Sequence, residues 1–130
     1  MIVLDASVVV ELLLRTPNAR RIEDRLFGAG DALHAPHLLD VEVTQVLRRY
    51  ERVGDLTAPR AVQALGVLTA MPVFRHPHAA LVPRIWALRA NLTAYDAAYV
   101  ALAEGLEATL VTLDVRLARA AGHRARVEVV

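Results

Sequence analysis

Apolar positions along this chain keep two rhythms. Short runs rich in β-branched residues, "MIVL" at 1–4, "ATLVTL" at 108–113 and "RVEVV" at 126–130, have the length of buried strands. Helix-period stretches lie between them. "PNARRIEDRLF" is amphipathic, and "HLLDVEVTQVLRRYERVG" sets Val43, Val46, Leu47 and Tyr50 on one face before a stop at Gly54. "TAPRAVQALGVLTAM", "HAALVPRIWALRANL", "TAYDAAYVALAEGL" and "VRLARAAG" predict four more helices. The start of the second is blurred by Pro83, which suits only a first turn, and the third has Thr93 as its N-cap. "ALHAP" and "PVFR" are shorter strand candidates, and an Asp/Ser turn with a brief apolar segment ending near "RTPN" is expected after the first strand. Strands alternating with helices, without repeat or linker, predict a single α/β domain over residues 1–130, with helices on both faces of a parallel sheet.

Two acids break this pattern in the same way. Asp5 and Asp114 each directly follow a buried apolar run, "IVLD" and "LVTLD", and a carboxylate in such a setting needs solvent, hydrogen bonds or a cation. In open parallel sheets the carboxyl ends of the strands line the ligand crevice, where the winding direction reverses. Taken singly, each acid has an ordinary structural role. Asp5 suits a strand-end acceptor, Asp114 a helix N-cap, Asp96 the acidic position of a capping box begun by Thr93, and Glu42 a helix edge. Asp40, close to Glu42, reads as the cap of its helix.

Composition narrows the chemistry. All 15 cationic side chains are Arg, which removes any mechanism that needs a lysine amine. A net charge of +1 argues against strong nonspecific nucleic-acid binding. Without cysteine there are no disulfides, thiolate ligands or thiol nucleophiles, and a reducing, cytoplasmic setting is expected. The apolar start is interrupted by Asp5 and Glu11 and has no basic leader, so it does not read as a signal peptide. No apolar run is long enough to span a membrane. "GAGDAL" lacks the third glycine of a dinucleotide loop and reads as a turn. His34, His37, His76 and His78 lack a helical metal-pair spacing, and the Arg clusters at 20–25 and 48–52 read as solvated helix faces. With 5% aromatic residues, a base-stacking platform is not expected.

Read together, "IVLDAS", "HLLDVEVTQVL", "LTAYDAAYVALA" and "LVTLDVRLARAA" resemble, in order and spacing, the PIN-domain ribonucleases, and specifically the VapC toxins of bacterial toxin–antitoxin pairs. The resemblance spans nearly the whole chain, although residues 55–80 carry no motif. It implies a three-layer α/β/α fold with a central parallel sheet of strand order 3-2-1-4-5. It also implies an acidic pocket in which Asp5, Glu42, Asp96 and Asp114 bind metal and catalyse, supported by Ser7 and Thr112. Ala6 stands where relatives often carry Thr, a change away from the chemistry. The implied activity is endonucleolytic RNA cleavage leaving 5′-phosphate and 3′-hydroxyl ends, and the implied partners are an RNA substrate, an inhibiting antitoxin and a second copy in a homodimer. Leu81, Ile85, Trp86 and Leu88 supply apolar surface for an antitoxin segment, although core packing also claims such residues.

Elementary electrostatics agrees with that reading. Two carboxylates about 4 Å apart repel by roughly 4 kcal/mol at an effective dielectric of 20, so four converging acids call for cations or protons. All-oxygen ligation suits Mg²⁺ or Mn²⁺. Three other readings fit less well. A phosphoacceptor domain lacks its lysine, a haloacid-dehalogenase-like phosphatase would need an acid where Ser7 stands, and a catalytically silent interaction module would keep the fold without the activity.

Overall fold

The computed structural model describes all residues, 1–130. Five strands, β1 (Ile2–Leu4), β2 (Leu33–Pro36), β3 (Val73–His76), β4 (Thr109–Thr112) and β5 (Arg126–Val129), form one parallel sheet in the order β3-β2-β1-β4-β5. The expected order 3-2-1-4-5 is therefore observed. β1 is the pivot: Ile2 pairs with Leu33 on one side and with Thr109 on the other. The chain winds outward through β2 and β3 and then returns to the far side of β1 as β4. This reversal opens a crevice between the carboxyl ends of β1 and β4.

Seven helices cover the sheet: α1 (Ala6–Leu14), α2 (Ala19–Phe27), α3 (Leu38–Arg52), α4 (Ala58–Ala70), α5 (Val82–Ala87), α6 (Ala94–Leu106) and α7 (Val115–Arg119). α1 packs with α2, α3 and α4 as one group, whereas α6 packs with α5 and against β1, β2 and β4. The result is the three-layer arrangement. α6 is buried continuously from Ala97 to Ala103, and its small side chains let it lie close to the sheet. No helix is long and apolar enough to cross a membrane.

Three details depart from the sequence expectation. The segment after the first strand is not a turn and loose apolar stretch: α1 begins at Ala6, with Asp5 in extended conformation as its N-cap residue. Val8, Val9 and Val10 are poor helix formers, but all three are buried, and packing overrides propensity. The stretch around Pro83 is not one long helix. It is a 3-10 turn at Ala79–Leu81 followed by the six-residue α5, with Leu88 buried, Leu81 and Ile85 partly buried, and Trp86 66% exposed beneath the guanidinium of Arg89. Asp40 does not cap α3, because His37 occupies that position; its carboxylate instead holds Arg75 through bonds of 2.7 and 3.0 Å. That ion pair ties α3 to the edge strand β3.

Candidate active site

The crevice is built around Asp5. Its backbone N–H continues the β1–β4 ladder to the Val111 carbonyl at 3.1 Å, which places the side chain at the carboxyl edge of the sheet. Two hydroxyls donate to the same oxygen, Oδ2: Ser7 Oγ at 2.6 Å and Thr112 Oγ1 at 2.8 Å. Each hydroxyl is in turn fixed by the β4–α7 corner, Ser7 accepting from Leu113 N–H at 3.1 Å and Thr112 from Asp114 N–H at 3.0 Å. Because their acceptor roles are taken by backbone amides, both hydroxyls point their protons at Asp5. One carboxylate oxygen is thus anchored.

Glu42 enters from the first turns of α3 and is met by a residue that the sequence reading did not single out. Tyr99, 1% exposed, donates its phenol to Glu42 Oε1 at 2.6 Å. Burial, then the neighbouring Glu42 carboxylate, hold the Tyr99 phenol far above its ordinary range, so it stays a donor. Tyr99 lies three residues after Asp96, on the same face of α6, and that spacing was the available signal.

The electrostatics of the four acids are linked. Burial pushes the Glu42 carboxyl above its usual range, Asp5 and Asp96 push it further, and the Tyr99 bond works in the opposite direction. Asp96 is likewise raised, by burial first and then by Asp5 and Asp114. The Thr93 hydroxyl accepts from the Asp96 N–H at 3.2 Å, so Thr93 caps α6 as expected. Asp114 caps α7, its Oδ1 accepting from the Arg116 N–H at 2.9 Å. The Arg116 guanidinium folds back on it at 3.2 and 3.3 Å and holds Asp114 below the usual carboxylate range. Asp5 thus acts on both Glu42 and Asp96, Asp114 acts on Asp96, and Ser7 and Thr112 bond directly to Asp5.

The donors gathered here are all oxygen, the chemistry that hard cations take. No three His, Asp or Glu side chains form a ready-made chelating group anywhere in the chain. An ion held here would keep much of its water, which is the habit of Mg²⁺, bound through one or two carboxylates together with substrate phosphate. The histidines do gather at the ends of β2 and β3, but in pairs. His34 Nδ1 lies 2.9 Å from His76 Nε2, and His37 packs edge-on against His78.

A cavity of about 290 Å³ adjoins the acids and is lined by Asn91, Leu92, Thr93, Asp96, Asp114 and Arg116, among others. A more spacious one, about 550 Å³, lies between α6 and the strand β5. Of its two acids, Glu104 and Glu107, the first is already saturated by both arms of Arg84 and by the Arg124 N–H.

Residues 2–123 match the PIN domain family. The chain is 45% identical over 117 residues, 90% of its length and 88% of the relative's, to ribonuclease VapC9 of Mycobacterium tuberculosis. It is 41% identical over 130 residues, 100% of its length and 99% of the relative's, to ribonuclease VapC12 of the same organism. Among solved structures, VapBC2 from Rickettsia felis, bound to a DNA fragment from their promoter, superposes with a TM-score of 0.71 at 14% identity, covering 98% of both chains. VapC20 of M. tuberculosis, a Sarcin-Ricin loop cleaving toxin, does so with a TM-score of 0.70 at 17% identity, covering 95% of this chain and 97% of its own. At these identities the superpositions establish the fold.

Proposed function

The chain belongs to the PIN-domain family of VapC ribonuclease toxins, and from that premise we propose that Asp5, Glu42, Asp96 and Asp114 make it an endoribonuclease dependent on Mg²⁺ or Mn²⁺. The observation that carries this reading is the cluster of acids at the carboxyl edge of the sheet: Thr112 links Asp5 to the Asp114 backbone, Asp5 acts on both Glu42 and Asp96, which burial raises, and the one arginine bonded to the group, Arg116, sits on Asp114. A purely structural cluster would be paired internally. This one leaves negative charge facing a crevice.

A bound Mg²⁺ or Mn²⁺ supplies positive charge at the scissile phosphate and makes water more acidic. The chain's own groups do the rest. Asp5, with Oδ2 held by two hydroxyls, keeps its other oxygen free of protein hydrogen bonds and its carboxylate in a fixed orientation. Glu42, oriented by Tyr99 and raised above its usual range by burial, is suited to take a proton from the attacking water. The water oxygen bonds to phosphorus as the bond from phosphorus to the 3′ oxygen breaks. The leaving oxygen takes a proton, giving 5′-phosphate and 3′-hydroxyl ends.

Residues 1–130 act as one domain in this reading, in the cytoplasm with RNA as substrate. A cognate antitoxin inhibits it, and a second copy forms a homodimer. Val82 and Trp86, 54% and 66% exposed on α5, offer apolar surface to such partners. The test is purified protein with labelled mixed-sequence RNA, in chelator and in Mg²⁺ or Mn²⁺, with the new ends identified. Metal-stimulated cleavage with 5′-phosphate ends is expected. Absence of cleavage under every metal condition overturns the enzyme and leaves a silent interaction module.

A further inference from the structure

We propose that the cavity beside Asp96 and Asp114 is a nucleotide subsite, in which the Asn91 amide reads the edge of a base next to the cut and Arg116 holds the adjoining phosphate. The inference rests on the nuclease reading and extends it to specificity.

Position comes first. Asp96 and Asp114 line this cavity as well as facing the acidic crevice, so whatever fills it lies against the reacting region. At about 290 Å³ it is near the lower end of small-ligand sites, a size for one nucleotide unit rather than a duplex. Leu92 and Ala120 add apolar surface for the face of a base, with the buried Leu117 beneath them.

The polar groups have the chemistry that a nucleotide needs. The Asn91 side chain is exposed and makes no hydrogen bond within the protein, so its amide is open to a ligand, and Gly122 bounds it on one side. Gly122, at φ +90°, approaches so near that a Cβ there would lie 2.9 Å from Asn91 Nδ2. A free amide beside a backbone turn offers donors and an acceptor in one plane, the pattern that hydrogen-bonds the edge of an unstacked base. Arg116 is 92% exposed, and its only side-chain partner is Asp114, at 3.2 and 3.3 Å. An exposed pair of this kind is weakly held. Its planar fork can turn to a phosphate, which it grips with two parallel bonds.

The experiment has two arms. In the first, a random-sequence RNA pool is cleaved by the parent, Asn91→Ala and Asn91→Asp, and the nucleotides flanking each cut are counted. The parent's preference at one flanking position falls about tenfold in Asn91→Ala, the discrimination that one well-placed bidentate base contact supplies. Asn91→Asp shifts it toward bases that present an amino donor. Equal melting temperatures of the three proteins establish that the fold is intact. In the second arm, the Asn91 side-chain amide and Arg116 Nε resonances are followed during titration with the four ribonucleoside 5′-monophosphates in Mg²⁺, where both resonances move and one base moves them most.

A parent that cleaves with a preference unchanged by either variant overturns the subsite and leaves the nuclease standing. A parent that cleaves nothing overturns the nuclease reading, and the resonances then decide the subsite: selective movement supports it, and no movement with any of the four overturns it.

Discussion

Thr112 joins two strand-end acids through a single hydroxyl, accepting from the Asp114 N–H at 3.0 Å while donating to Asp5 Oδ2 at 2.8 Å. It is fully buried, so neither bond has water as a substitute. Thr112→Val keeps the shape and removes both bonds, leaving a backbone donor unsatisfied. The expected cost is about 1–3 kcal/mol, read as a lower denaturation midpoint. RNA cleavage should fall more steeply than stability, because Asp5 loses one of its two anchors. Thr112→Ser, which restores the hydroxyl, should recover most of the cleavage.

The Tyr99–Glu42 bond sets a pH dependence. It is the one local influence that lowers the Glu42 carboxyl, against burial and the acids Asp5 and Asp96. Tyr99→Phe therefore raises Glu42 further, and the rising limb of the cleavage–pH profile should move to higher pH. The metal-free parent has its own signature. Glu42 and Asp96 are raised in the folded state, so the stability that they contribute is fully present below the ordinary carboxylate range and is lost as pH rises through their folded values. Chelator-treated protein should melt lower at neutral pH than these two groups allow at mildly acid pH, and added Mn²⁺ should narrow that difference. Titration of the carboxyls by NMR in chelator checks the direction for each.

Much of this architecture was legible because local pattern and global fold agree. Apolar runs that end in Asp mark β1 and β4, and helix-period stretches mark α2, α3, α4 and α6. The four acids were assembled only by resemblance to a family, since Glu42 and Asp96 look like ordinary helix residues until the fold brings them beside Asp5. What escaped sequence reading depends on contacts across long separations. The spacing from Asp96 sets Tyr99 on the site's face of α6 but does not name Glu42 as its partner, and nothing near Asp40 reveals Arg75. α1 was missed because a Val-rich segment reads locally as strand or loop, whereas its burial makes it a helix. Asn91 and Arg116 have no sequence signature at all; only the fold sets them beside one cavity.

A second ion pair, remote from the crevice, gives a contrasting pH response. Glu104 has a side chain only 9% exposed, accepts from Arg84 at 2.7 and 3.0 Å and from the Arg124 N–H at 2.7 Å, and so ties α6 to α5 and to the segment before β5. The Arg84 hydrogen bonds, foremost, hold its carboxyl below the usual range. The stability that it contributes is present above the ordinary carboxylate value and is lost as pH falls through the lower folded value. Glu104→Gln should cost about 1–3 kcal/mol at neutral pH, and the gap to the parent should close in acid. Urea midpoints of both proteins across that range test this. An equal gap at every pH would mean that packing, not charge, is what Glu104 supplies.

Asp5→Asn separates a metal-site acid from an architectural one. Both hydroxyls reach the same oxygen, Oδ2, so an asparagine with its carbonyl in that place keeps the bonds from Ser7 and Thr112. Its amide then takes the place of the other oxygen, which removes one negative charge from the group and relieves Glu42 and Asp96, both of which Asp5 pushes up. In chelator the variant should melt at or above the parent temperature, while RNA cleavage is lost. Asp5→Ala should melt lower, because it leaves both hydroxyl donors without their acceptor at a cost of about 1–3 kcal/mol. With Mn²⁺ at 100 times its dissociation constant the parent should gain about 2.7 kcal/mol, and Asp5→Asn should lose most of that gain. Four melting curves, parent and Asp5→Asn with chelator and with Mn²⁺, are sufficient. If the variant melts well below the parent in chelator and both respond alike to Mn²⁺, Asp5 serves the fold rather than a cation, and the metal-dependent reading fails at its central residue.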